Sequence, residues 1–309
     1  MANTRRLSAR AQRARSILLG GALTLLDVGA ANGAPSRWDP YASLTNYIAV
    51  EPDPRSIETL ATTKKNGYRS SSTITSGLWS ETRDIDLNLC RKPEVSSVYA
   101  PNTAFLRRFP EAGRFDVVGR TSMKVTTLDA VATELEMTID ALKIDVQGAE
   151  LDVLLGAEKT LESVLLIEAE VEFVSLYENQ SLFGSVSHML SQRGFEFLDF
   201  LALYRWHPRH LDGTGQLVFA DALFMRTPES LKAETTSTLR KYAALAMIYQ
   251  RGEVLSRLAK VVDDPSLVRE LETLERFVSD HISQSRQILN FAARAARIRD
   301  NALHAHMIH

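Results

Sequence analysis

Acidic residues lie at the ends of three apolar runs in this sequence, and their positions are the first sign of chemistry. Asp27 lies in LTLLDV, Glu51 follows NYIAV, and Asp145 lies in ALKIDV. In a fourth run, IEAEVEF, an acidic residue recurs at every second position, which would place three carboxyl groups on one face of a strand: Glu168, Glu170 and Glu172. Carboxylates can accept a proton from a reacting hydroxyl group, accept hydrogen bonds from sugar hydroxyls, or hold a cation.

The segment DVGAANG, residues 27–33, turns out of the first of these runs. Gly29 and Gly33 permit a tight turn and a close approach of the main chain to a ligand. The loop lacks the third glycine of GxGxxG and has no basic residue beside it, so it would serve a pyrophosphate poorly. Asp27 either suits a cationic group of the ligand or only orders the loop by hydrogen bonding to main-chain N–H groups.

Two acidic residues follow the second run, in the segment IAVEPDP. Glu51 stands where a Rossmann-like fold keeps the carboxylate that accepts hydrogen bonds from both ribose hydroxyls. Glu51 and Asp53 together would repel a phosphorylated ribose. A ligand with a ribose, a positive centre and no phosphate is S-adenosylmethionine, which the residues therefore favour as cofactor.

Strand-like apolar runs alternate with helical patterns from residue 23 to about residue 226, which is typical of an α/β fold with a parallel sheet. The last two runs have no helix between them and should form an antiparallel edge. The pattern predicts seven strands: Leu23–Val28, Tyr47–Val50, Arg69–Thr75, Leu142–Val146, Val164–Ala169, Phe195–Tyr204 and Leu217–Met225.

The first strand has a second interpretation, because ILLGGALTLLDV follows a basic N-terminus and could be the apolar part of a secretion signal. Asp27 and the glycine loop at its end favour a buried strand. Asp27 also interrupts the one serious candidate for a membrane span. The net charge of −2 gives no drive toward nucleic acid, and the single Cys90 excludes an internal disulfide. We therefore expect a cytoplasmic protein.

The 309 residues suggest three parts: a basic helical arm over residues 1–22, a domain over 23–227 and a helical hairpin over 228–309. An insertion, RDIDLNLCRKPEVSSVYAPN, should lie over the ligand end of the sheet. The predicted tail helices are Glu229–Val262 and Leu267–Asp300. The second carries an apolar seam that could pack on the first tail helix, on the core or on another subunit, with a homodimer favoured: Leu267, Leu271, Leu274, Val278, His281, Ser285, Ile288, Ala292 and Ala295.

Several motifs together resemble the FkbM family of S-adenosylmethionine-dependent methyltransferases. They are LLDVGAANG, IAVEPDP, TTLDAV and, most specifically, IDALKIDVQGAELDVLLGAEKTL followed by IEAEVEFVSLYENQSLF, within residues 23–226. The resemblance implies a class I methyltransferase fold with a Rossmann-like seven-stranded sheet, and methyl transfer to a hydroxyl group, commonly on a sugar or natural product. In one departure, Ala31 occupies the position of a family asparagine and Asn32 follows it.

The resemblance also assigns roles to particular residues. Cofactor contacts would come from the loop residues Gly29, Ala30 and Gly33, from Glu51 at the ribose with Asp53 beside it, and from Leu78 near the adenine. Trp79 either stacks on the base or belongs to the core. Tyr177 and Gln180, in a segment that resembles a substrate loop of the family, would contact the sugar or natural-product acceptor.

Asp145 is the first choice for deprotonating the acceptor, although it could instead anchor a loop. Glu170 and Glu172, expected at a solvated mouth, could bind sugar hydroxyls or, with Asp145, hold Mg²⁺, which no fixed ligand spacing demands. His207 or His210 could reach the acceptor from the rim and act as the base. The sequence has no Asn/Asp-Pro-Pro-aromatic tetrapeptide of the kind used by nucleic-acid amino methyltransferases, which argues against nucleobase methylation.

Two other functions stay open at this point. An NAD-dependent oxidoreductase could use a similar sheet, but the missing third glycine and the absence of a Tyr-x-x-x-Lys pair disfavour it. A non-catalytic protein could keep the cofactor pocket and serve assembly through its helical tail.

Overall fold

The apolar runs form a sheet in the computed structural model, which describes residues 9–62, 67–208 and 214–280. The described residues contain ten strands: β1 (Leu23–Val28), β2 (Thr45–Val50), β3 (Ser70–Ile74), β4 (Gly77–Leu78), β5 (Arg83–Cys90), β6 (Val117–Thr126), β7 (Ala141–Ile144), β8 (Leu166–Glu172), β9 (Phe195–Trp206) and β10 (Gln216–Arg226). Seven of them form one sheet in the order β3-β2-β1-β7-β8-β10-β9.

Five neighbouring strands of this sheet, from β3 to β8, run parallel, whereas β10 is antiparallel to both β8 and β9. The prediction of a mostly parallel seven-stranded sheet with an antiparallel edge is confirmed. All six residues of β1 are buried, in agreement with the strand interpretation of the first apolar run. The insertion contributes β5, which pairs with β6, and with β4 these strands form a second sheet of order β4-β6-β5.

Helices cover both faces of the large sheet. They are α1 (Ala9–Leu18), α2 (Pro54–Thr62), α3 (Thr103–Leu106), α4 (Leu128–Leu135), α5 (Glu150–Leu155), α6 (Thr160–Ser163), α7 (Phe183–Gln192), α8 (Thr236–Ile248), α9 (Gly252–Val261) and a helix that begins at residue 265 and is described to residue 280. Short 3₁₀ helices form at Ser36–Leu44, Pro93–Val95, Ala112–Phe115 and Pro228–Leu231. None of the helices in these ranges is long and apolar enough to cross a membrane.

Successive residues of each inner strand serve different cores. Leu25 of β1 packs in a core with side chains of α1, α8 and α9, whereas Leu26 packs in a core with side chains of α4 to α7. The alternation follows from the two-residue repeat of a strand. It explains why these strands are apolar throughout, as expected for a parallel sheet covered on both faces.

The tail departs from the predicted single helix over Glu229–Val262. A 3₁₀ turn comes first, and α8 starts after Thr235, whose hydroxyl accepts a hydrogen bond from the N–H of Thr238. The chain then breaks at Gln250, which adopts a left-handed conformation with φ of 59°. The break lets α9 begin at Gly252, where a Cβ atom would lie 3.1 Å from the Oγ of Ser279 in the last helix.

The tail is joined to the sheet by polar contacts as well as by apolar packing. Lys241 pairs at 2.9 Å with Asp140, whose Oδ2 also accepts a hydrogen bond from the main chain of Thr24. The hydroxyl of Tyr249 donates to Glu168 of β8 at 2.7 Å. The seam residues at positions 267, 271, 274 and 278 are buried in the core shared with α1 and the sheet. The remaining seam positions, 281–295, lie outside the described residues.

Candidate active site

A cleft of about 780 Å³ opens at the carboxyl ends of β1, β2 and β7. This empty space includes the part that is open to solvent, and the position is where ligands bind in open α/β sheets. The cleft is lined by residues that follow these strands, by residues at β4 and in β6, and by residues of the insertion. They include Gly29, Ala31, Asn32, Glu51, Asp53, Leu78, Trp79, Ser97, Val98, Met123, Asp145 and Gln147. The insertion therefore lies over the ligand end, as predicted.

Gly29 holds the first loop against the end of β7. Its φ is 79°, and a Cβ atom would lie 1.8 Å from the main-chain oxygen of Asp145. Gly33 is also left-handed, with φ of 70°, but the nearest atom to its Cβ position is Leu60 Cδ2 at 3.9 Å. The two glycines thus serve different needs: Gly29 allows a close approach of two chain segments, whereas Gly33 only allows the turn.

We expect Gly29→Ala to lower the free energy of unfolding by about 3 kcal/mol or more, because a methyl group would collide with a fixed main-chain oxygen. Gly33→Ala is the matched control and should cost only about 1 kcal/mol, the strain of the backbone conformation alone. Urea denaturation of both variants measures the difference. Equal losses would contradict the account of the Gly29 contact.

Asp27 does not line the cleft, because its side chain is fully buried beneath the loop. Tyr47 donates its hydroxyl hydrogen to Asp27 Oδ2 at 2.8 Å, and the ammonium of Lys143 lies 3.1 Å from Oδ1. The Lys143 ammonium also lies 3.4 Å from the main-chain oxygen of Gly29. The predicted direct contact with the cofactor is therefore replaced by an indirect role, in which Asp27 orders the loop through Lys143.

Lys143 is a functional residue that the sequence reasoning missed. Burial lowers its pKa, but the carboxylates of Asp27 and Asp145 outweigh burial and raise it, so the ammonium group stays charged. It lies 3.6 Å from Asp145 Oδ2 and joins the two acidic residues. A lysine inside the otherwise apolar strand ALKI was the signal that could have revealed it.

Glu51 and Asp53 both line the cleft, but their side chains differ in what holds them. Asp53 is committed to Arg55, whose Nη2 lies 2.6 Å from Asp53 Oδ2. Glu51 Oε1 accepts a hydrogen bond of 2.8 Å from the main chain of Asp53, and no described residue donates one to its Oε2. Burial raises the pKa of Glu51 to about 7. Glu51 is the better placed of the two for a ligand hydroxyl.

Binding of S-adenosylmethionine should weaken about tenfold when the pH falls from about 8 to about 6. With a pKa raised to about 7, most Glu51 side chains are ionised at the higher pH and protonated at the lower one, and only the carboxylate accepts two hydrogen bonds from ribose. Glu51→Gln, which does not titrate, should bind more weakly with a flat pH profile. Calorimetric titration at several pH values checks this. A wild-type pH profile as flat as that of the variant would show that the Glu51 carboxylate does not bind the cofactor.

Part of the cleft lining is apolar. Leu78 and Trp79 are nearly buried and contribute to its wall, together with Val98 and Met123. Trp79 therefore belongs both to the core and to the cleft surface, and its ring lies 6.0 Å from that of Tyr99. Besides Asp27, two further residues predicted to contact the cofactor do not line the cleft: Ala30 is fully buried, and Gly33 shapes the turn behind Ala31 and Asn32.

Gln147 joins two candidate catalytic acids. Its Nε2 donates to Asp145 Oδ1 at 2.8 Å and to Glu170 Oε1 at 2.9 Å. Its Oε1 lies 2.9 Å from the hydroxyl of Tyr177. Gln147 has a left-handed backbone, with φ of 59°, which turns its side chain toward these partners. Asp145 lines the cleft, whereas Glu170 lies behind Gln147 and is not part of the lining.

The acids of β8 are less solvated than the sequence suggested. Burial raises the pKa of Glu170, and the carboxylates of Asp145 and Glu172 raise it further. Glu172 is 1% exposed, so the expectation of a solvated mouth is wrong for it, and its neighbour Glu168 is also buried, at 4%. The reason is cover from neighbouring elements: β10 pairs along β8, and Glu168 bonds to Tyr249 and Arg37.

Tyr177 and Gln180 form the wall behind the cleft rather than its surface. Tyr177 is fully buried, and its main-chain N–H donates to Gln180 Oε1. Both side chains pack against Gly148, where an added Cβ atom would come within 3.1 Å of Gln180. Neither residue, nor Glu172, lines the cleft, so the structure does not support the predicted direct contacts with the acceptor.

His207 also lies away from the cleft, which contradicts its predicted role as a base. It lines a separate groove with Arg205, Arg114 and Trp206, on the outer side of α3. His210 lies outside the described residues. Within the described ranges, no group of three His, Cys, Asp or Glu side chains is arranged to hold a metal ion, and Mg²⁺ therefore has no support.

Comparison with known proteins gives a family match. The model of the methyltransferase FkbM domain matches residues 27–197. One solved structure with a similar fold is precorrin-6y C5,15-methyltransferase from Geobacter metallireducens, with 11% identity, a TM-score of 0.33, and a match over 73% of this chain and 94% of that chain. A second is an rRNA methylase from Streptococcus thermophilus, with 10% identity, a TM-score of 0.33, and a match over 73% of this chain and 99% of that chain. A third is 1,6-didemethyltoxoflavin-N1-methyltransferase from Burkholderia thailandensis with bound S-adenosylhomocysteine. It has 12% identity and a TM-score of 0.30, and the match covers 71% of this chain and 78% of that chain. No curated protein sequence matches significantly.

Proposed function

This chain belongs to the FkbM methyltransferase family, and we propose that it transfers a methyl group from S-adenosylmethionine to a hydroxyl group of a saccharide or glycosylated small molecule. One observation carries the choice of a hydroxyl acceptor. Asp145 lies in the cleft, where it is fixed by Lys143 and Gln147, and it is a carboxylate that could take the proton of a hydroxyl group.

The residues present fit S-adenosylmethionine. The cleft lining combines the Glu51 carboxylate, which can accept hydrogen bonds from ribose hydroxyls, with the apolar side chains of Leu78, Trp79 and Met123, which suit adenine. Main-chain groups of Gly29 and the side chain of Asn32 would complete the contacts. When bound, the cofactor supplies an electrophilic methyl group.

In the proposed reaction, Asp145 orients the acceptor hydroxyl and accepts its proton as the new carbon–oxygen bond forms. Lys143 holds one oxygen of Asp145 and Gln147 holds the other, which fixes the direction of the carboxylate. Glu170 positions Gln147 from behind. Its raised pKa favours a protonated carboxyl group, which limits the negative charge next to Asp145.

The alternatives have less support. Membership of a methyltransferase family favours methyl transfer over hydride transfer by an NAD-dependent oxidoreductase. The described seam positions, Leu267 to Val278, are occupied by the chain's own core, so a homodimer would not use these four side chains. A cytoplasmic location stays part of the proposal, as does a non-nucleic-acid acceptor.

The test is transfer of a labelled methyl group to a panel of acceptors: neutral saccharides, glycosylated natural products, carboxylic acids, amines and RNA. We expect label on a saccharide in a form that resists alkali, because a methyl ether survives treatment that hydrolyses a methyl ester. Transfer to amines or RNA alone would contradict an O-methyltransferase of saccharides.

A further inference from the structure

A groove with an empty volume of about 660 Å³ lies beyond the wall of the cleft and has no role in the reaction described above. Its base is aromatic and apolar, and its sides carry charged groups. The lining residues that matter here are Phe109, Phe115 and Trp206 at the base, and Arg114, Arg205 and His207 at the sides.

Trp206 lies at the bottom of the groove and is partly exposed. Its indole ring packs edge-on against Phe109 at 5.3 Å and lies 6.0 Å from Phe115, both of which are almost fully buried. The neighbours fix the Trp206 side chain and leave part of it facing the groove. A rigid, half-buried indole offers an apolar surface to the C–H groups of a sugar ring without an ordering cost.

The groove is richer in cations than in anions. The guanidinium carbon of Arg114 lies 4.7 Å from the centre of the Trp206 ring, and its Nε is buried without a hydrogen-bond partner among the described residues. Among the described lining residues the one acid, Glu111, is 79% exposed and contacts Nη1 of Arg114 at 3.2 Å. Such an exposed ion pair contributes little and can yield to another anion. Arg205 and His207 are exposed beside it.

One aromatic layer separates the groove from the cleft. The ring of Phe115 packs against that of Tyr177 at 5.9 Å, and the Tyr177 hydroxyl reaches Gln147 in the cleft lining. The groove and the cleft are therefore neighbours, and an acceptor that occupied both would have to pass over this wall.

We propose that this groove binds an anionic sugar residue of the methyl acceptor, a uronate or a sugar phosphate, with its ring on Trp206 and its anionic group on Arg114 and Arg205. This inference rests on the proposed methylation of a saccharide. Arginine suits the anionic group because its planar fork matches carboxylate and phosphate oxygens. His207, which the sequence suggested as a catalytic base, then belongs to acceptor binding instead.

Calorimetric titration of the full chain with glucuronic acid, glucose 6-phosphate and neutral glucose tests the groove. At least one anionic probe should bind about tenfold or more tightly than glucose, and preference for one of the two identifies the source of the charge. Arg205→Ala, a change at an exposed residue, and Arg114→Ala should each weaken the binding of that probe about tenfold. Arg107→Ala removes a charge from a neighbouring exposed position outside the groove and should change nothing.

Equal binding of all three sugars would overturn the proposal, as would an equal loss in the Arg107 and Arg205 variants. Titration of the same samples with S-adenosylmethionine separates the two levels of inference. Cofactor binding without anionic-sugar binding would refute the proposed sugar site in the groove but not the proposed methyl transfer. Sugar binding without cofactor binding would refute the proposed methyl transfer.

Discussion

Asparagine in place of Asp145 is expected to lower the rate of methyl transfer by about 10²- to 10⁴-fold, the contribution typical of a positioned general base. The change keeps the shape of the side chain and an oxygen that can accept from Gln147. It removes the group that takes the proton. Affinity for S-adenosylmethionine should change little, so single-turnover rates at saturating cofactor separate chemistry from binding.

Two further variants make this prediction specific. Glu170→Gln should have a smaller effect, because Glu170 acts through Gln147 and does not line the cleft. Asp152→Asn is the matched control, since Asp152 bonds to Tyr99 at 2.6 Å outside the cleft and should keep the wild-type rate. A wild-type rate in the Asp145 variant would show that Asp145 is only a loop anchor.

Removing residues 233–309 is expected to prevent folding rather than to alter assembly alone. The described part of the tail contributes more than a dozen buried apolar residues to the core of the sheet, including Leu245, Leu255, Leu258 and Leu271. Each buried leucine contributes about 1.5–3 kcal/mol, so even five of them equal a typical total stability of about 5–15 kcal/mol. The loss also leaves Asp140 without Lys241, and Glu168 without Tyr249.

Circular dichroism and thermal unfolding check the deletion. A chain that ends at residue 280 is the control, because it keeps every contact described here and measures the effect of shortening as such. A folded, cofactor-binding product of the larger deletion would contradict the shared core. That result would favour the alternative in which the tail serves assembly and is not needed for folding.

The sheet could be predicted because each strand is marked by residues that are close together in the sequence. Each inner strand is a short apolar run with a turn or a polar residue at its end, and the order of runs and helical patterns fixes a parallel sheet with an antiparallel edge. The cleft residues Gly29, Glu51, Leu78 and Asp145 were predictable for the same reason, since the carboxyl ends of parallel strands meet at one edge.

The errors concern contacts between distant segments. Asp27 looked like a ligand for a positive centre because its partners, Tyr47 and Lys143, come from two other strands. Glu172 looked solvated because β10, which covers it, follows 44 positions or more later in the chain. His207 follows the long edge strand β9 and was expected at the rim, but it lies in the groove. Periodicity does not report such neighbours.

The central claim is that the cleft at the ends of β1, β2 and β7 binds S-adenosylmethionine. Calorimetric titration of the purified wild-type protein and of Glu51→Ala tests it most directly, with Glu81→Ala as a control at an exposed acid outside the cleft. We expect micromolar binding by the wild type and the control and a loss of about tenfold or more in Glu51→Ala. No binding by the folded wild type, or unchanged binding in Glu51→Ala, would contradict the account.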